Sequence, residues 1–88
     1  MENKIILSSL SMDLKRVALG IYKKSYGTAD RFLSEAIKRQ KEIDKTKLLP
    51  YMQTIIKNIG ILADQDNAQK ADDALMYSTR IQNYVLYK

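Results

Sequence analysis

The chain has 88 residues, 45% hydrophobic and 28% charged. This composition fills one domain over residues 1–88, leaves too little material for a second core, and differs from the polar make-up of disordered chains. Fifteen Lys plus Arg against ten Asp plus Glu give a net charge of +5, and histidine and cysteine are both absent. That excludes a disulfide framework, thiolate or imidazole metal sites, and the side chain most used for acid–base work near neutral pH.

Three glycines and one proline leave few chain breaks, so long helices with short connections are expected. In the first segment Leu7, Leu10, Leu14, Val17 and Ile21 recur at alternating steps of three and four, the spacing of one helical stripe. A helix over about residues 4–24 follows, with Ser8, Ser9 and Ser11 as alternative N-caps. Ala29, Phe32, Leu33, Ala36, Ile37 and Ile43 form a second stripe. Between the two, Gly27 is able to close one helix and Thr28 to cap the next. Phase favours continuity: at about 100° per residue, Leu14, Ile21, Ser25, Phe32, Ala36 and Ile43 point in nearly one direction. The preferred expectation is one long helix through Gly20 and Gly27, with two helices as the alternative.

Asp44-Lys45-Thr46-Lys47 reads as a turn, and Pro50 suits the first turn of a third helix, where its missing N–H has no partner to lose. Leu48, Met52, Ile55, Ile56, Ile59, Leu62 and Ala63 make the most apolar stripe of the chain. Asp64-Gln65-Asp66-Asn67 breaks it, and Asp66 with Gln69 has the spacing of a capping box. The last helix then carries Ala71, Ala74, Leu75, Ser78, Ile81 and Val85, with small residues that permit close approach to a neighbour. The fold expected is all-α: a small antiparallel bundle of three to four helices.

Catalytic motifs are missing. No Gly-rich phosphate loop and no Ser-x-x-Lys occurs, and the Asp64 stretch fails as a calcium loop because Gln69 and Leu75 stand where glycine and glutamate are required. The expectation is a protein that is not an enzyme and uses no cofactor and no metal. The run Ile5-Ile6-Leu7 is too short for a signal segment, and nothing approaches the roughly 18 apolar residues of a membrane span. With no cysteine, a cytoplasmic setting without membrane contact is expected.

Two features point to function. If residues 4–43 are one helix, Arg16, Lys23, Arg31, Lys38 and Lys41 line the face opposite the apolar stripe, a track for phosphates of a nucleic acid. In the last helix Met76, Tyr77, Arg80, Tyr84 and Tyr87 form an edge of residue types enriched in protein interfaces. The core is thin for 88 residues, which favours a homodimer, with Met52, Met76 and the Tyr77/Tyr84 edge as its expected contacts. Self-association or another protein interaction is the leading functional expectation, and nucleic-acid binding the alternative.

Overall fold

A computed structural model describes residues 3–87. Among these residues there are four α-helices and no strand: α1 (Asn3–Tyr22), α2 (Tyr26–Glu42), α3 (Pro50–Ile59) and α4 (Asn67–Tyr87), with 3-10 turns at Lys45–Lys47 and Gly60–Asp64. The central helix is α1, which packs against both α2 and α4, while α3 bridges α2 and α4. Leu7, Leu10, Leu14, Val17 and Ile21 of α1 are buried, together with Met52, Ile56, Ile59, Leu62 and Ile81. The inward stripes expected from spacing thus make one core.

The continuous first helix is corrected. Tyr22 ends α1 and Tyr26 begins α2, and the chain reverses between them through Lys24, whose φ is 61°. The Ser25 N–H donates to the Gly20 carbonyl at 2.7 Å and the Lys24 N–H to that of Ile21 at 2.9 Å, the paired bonds of a Schellman ending. Neither Gly27 nor Thr28 makes the break. The N-cap of α2 is Ser25, without a side-chain cap bond, and Gly27 lies inside α2 in open space. Gly20 matters instead for close approach: a Cβ there would stand 3.1 Å from the Ala29 Cβ and amide nitrogen. The reversal folds α2 back along α1, and Asn3 clasps Asp44 by two hydrogen bonds, at 2.9 and 3.1 Å.

Other boundaries also shift. Ser8, Ser9 and Ser11 lie within α1 and cap nothing. The Asp44 side chain accepts from the Thr46 N–H to cap the 3-10 turn, and α3 starts after Leu49 with Pro50 in its first turn. Asp66 caps α4, accepting from the Gln69 N–H at 2.8 Å, while the Gln69 side chain turns to Asp73 instead of completing the box. Ala63 and Leu75, both expected in stripes, are exposed.

Small residues let α4 approach α1 closely, as their spacing predicts. Ala71, Ala74 and Ser78 are buried. Ser11 Oγ donates to the Ser78 carbonyl at 2.9 Å, and Ser78 Oγ donates to the Ser11 carbonyl at 2.7 Å. Each helix therefore satisfies the other's buried hydroxyl, the condition for burying such groups cheaply.

Candidate functional site

With α2 and α4 packed along its inward arc, α1 keeps one uncovered face. That face carries Ile5, Met12 and Leu19, which are 55%, 54% and 41% exposed. They stand seven residues apart, so they form a single line along the helix, about 10 Å from one to the next. Next to this line, α1 and α4 enclose a groove of about 480 Å³ whose walls include Ser8, Ser11, Met12, Lys15 and Leu19 from α1 and Gln82, Val85 and Leu86 from α4. Leu86 is itself 64% exposed. Met12, Leu19, Val85 and Leu86 give the groove apolar walls around the buried Ser11 and Ser78, and its polar margin is basic, through Lys15 and Arg16, which are both exposed.

This line was not among the contacts expected from the sequence, although its seven-residue spacing is plain there. The stripe of Leu7 to Ile21 explains the burial of α1, and Ile5, Met12 and Leu19 point nearly opposite to it. A helix with apolar residues on two sides has more to cover than one core can take.

The basic stripe is divided by the reversal at Lys24. Arg16 remains on α1, where its guanidinium lies 5.3 Å from the centre of the Phe32 ring and 3.9 Å from Asp13. Asp13 is buried and takes its main ion pair from Arg39, whose Nε donates at 2.7 Å. That hydrogen bond raises the Arg39 pKa further, so the pair is a fixed strut between α1 and α2. Arg31, Lys38 and Lys41 stay exposed on α2, with Lys38 3.7 Å from Glu35, and Lys23 is exposed in the turn. Five cations on one helix face become three on α2, one in the turn, and one held against Phe32.

The tyrosine edge is similarly split. Tyr77 and Tyr84 pack against the core; Tyr84 meets Tyr51 edge-on with centroids 5.9 Å apart, and its hydroxyl accepts from the Leu49 N–H at 3.4 Å. Tyr84 thereby pins α4 to the start of α3. Met76, Arg80 and Tyr87 are exposed, and Arg80 joins Tyr51, Asn83, Tyr84 and Tyr87 around a shallow dish. Met52, expected at a dimer contact, is wholly buried because its stripe points into the bundle.

Among the described residues, no helix is long and apolar enough to cross a membrane. Comparison with protein-family models, curated proteins and solved structures gives no match to this chain. The class defined by the fold is a small all-α bundle with an apolar groove along its central helix.

Proposed function

We propose that the chain is a non-catalytic helical module that works by association with protein, in the cytoplasm, and that the outward face of α1 with the adjoining edge of α4 is its contact surface. The spacing of Ile5, Met12 and Leu19 carries this reading. An apolar line at heptad intervals is the form in which one helix offers itself to another. Large apolar side chains left in water along such a line carry an unfavourable hydration free energy that burial against a partner would remove. Lys15 and Arg16 border the line as a polar rim borders an interface core.

Methionine oxidation tests the reading without knowledge of the partner. Met12 is 54% exposed and Met76 is 40% exposed, so dilute peroxide should oxidise Met12 at least as fast as Met76 in the dilute purified chain. In a concentrated extract of the cells that make the protein, Met12 should become the slower of the two. An unchanged ratio of rates contradicts the reading.

The second reading is a nucleic-acid-binding module, and the exposure of Arg31, Lys38 and Lys41 on α2 is the observation in its favour. Anisotropy titrations of labelled RNA and duplex DNA at several salt concentrations separate the two. Binding that weakens steeply with salt and is lost on neutralising these three cations supports the second reading, and no binding at low salt removes it.

A further inference from the structure

The outward face of α1 has the internal symmetry of a surface that pairs with itself. We infer that its occupant is a second copy of this chain, packed antiparallel across a two-fold axis at Met12; this rests on the association reading above and names its partner. Counting along α1, Ile5 and Leu19 are each seven residues from Met12. An antiparallel copy centred there sets Ile5 against the second copy's Leu19 and Met12 against its own counterpart. Isologous pairing demands this, since each contact must occur twice.

The charges on the face agree with the same register. On the α4 side, Lys15 is three residues after Met12 and Ser8 four before it, so the cation of one copy faces a serine of the other. On the α2 side, Arg16 faces Ser9 in the same way. A parallel, in-register pair would instead set Lys15 of each copy against Arg16 of the other. Farther out on the α4 side, Lys4 comes to the height of the second copy's Tyr22, whose hydroxyl donates to Asp72 at 3.2 Å. Lys4 and Asp72 are both exposed, so the two-fold places a cation by a carboxylate at each end of the interface. Like charges are kept apart and unlike charges are brought together, which is what fixes register in helix pairs.

The absence of cysteine from the chain makes the test clean. Ile5→Cys and Leu19→Cys are made singly, both at exposed positions, and the full-length variants are oxidised alone and as an equimolar mixture. The antiparallel register predicts that the mixture yields the mixed disulfide at about tenfold the covalent dimer of either variant alone, because only then are the thiols held at high effective concentration. Met12→Cys should crosslink by itself, and Ser34→Cys, on the outer side of α2, should not. Ile5→Cys crosslinking as well alone as in the mixture overturns the register. Sedimentation of the unaltered chain as a monomer at high micromolar concentration overturns the second copy as occupant. If Met12 is nevertheless protected in cell extract, the association reading stands and the partner is a different protein, for which the basic rim favours an acidic helix. If Met12 is unprotected there too, both readings fall.

Discussion

At the residue scale, the two glycines flanking the α1–α2 reversal have opposite roles, although in sequence they look alike. Gly20 is where α1 touches the backbone of Ala29, whereas nothing lies within 4 Å of a Cβ at Gly27. Gly20→Ala should destabilise by about 1–3 kcal/mol, because the obstructing atoms include main chain that cannot rotate away. Gly27→Ala should stabilise by up to about 1 kcal/mol through helix propensity; thermal unfolding of both variants checks the sign. The Asp13–Arg39 pair is asymmetric in another sense. Arg39→Met leaves a buried carboxylate with only Arg16 nearby at 3.9 Å, and should cost about 2–3 kcal/mol in denaturant unfolding, below the range for wholly buried pairs because Arg39 is partly in water. Asp13→Asn strands no buried charge and should cost less. Asp44 adds a pH signature: hydrogen bonds from the Thr46 hydroxyl and N–H hold its carboxyl below the ordinary value. A depressed value means stability present above the ordinary carboxylate range and lost as pH falls through the folded-state value. The difference in melting temperature between the unaltered chain and Asp44→Ala should therefore be full at neutral pH and shrink below about pH 4.

At the element scale, inward stripes were legible in the sequence because burial imposes a period that no other force imposes as strongly. Leu7 to Ile21, Met52 to Leu62, and Ala71, Ala74, Ser78 and Ile81 lie where their spacing places them, whereas Leu75 of the last stripe faces outward. The reversal at Lys24 was not legible. The apolar phase runs on across it, and the positive φ falls on a lysine, while the residues that normally announce such a break, Gly20 and Gly27, stand four and three positions away. The cap is made by backbone bonds to Gly20 and Ile21, which leave no side-chain signature. The close approach of α1 and α4 was readable in outline from Ala71, Ala74 and Ser78. Its reciprocal serine bonds were not, because Ser11 looked like one of three equivalent caps. Ser11→Ala and Ser78→Ala remove hydroxyls that each serve the other helix. In a double-mutant cycle measured by denaturant unfolding, they should show a coupling of about 0.5–1.5 kcal/mol, whereas near-additive losses would mean that the two hydroxyls act independently.

At the scale of the whole molecule, the apolar excess is a matter of distribution. The radius of gyration is 12.0 Å, close to the roughly 12 Å expected of a compact domain of this length. The bundle is therefore fully collapsed, and the apolar side chains outside it are surplus to its core. Six aliphatic ones, Ile5, Met12, Leu19, Leu75, Met76 and Leu86, lie on α1 or α4, and all are exposed. The expectation of a dimer from a thin core pointed to the tyrosine edge because aromatic residues attract attention in a sequence. Packing assigned Tyr77 and Tyr84 to the fold, which left the plain aliphatic line of α1 as the surface in need of cover. The most direct measurement is the thermal unfolding midpoint of the purified chain over a hundred-fold range of concentration, beside the Met12→Lys variant. A second copy bound only to the folded state predicts a midpoint that climbs with concentration for the unaltered chain and stays flat for Met12→Lys. A flat midpoint for both, or an equal climb for both, would contradict self-association through this face.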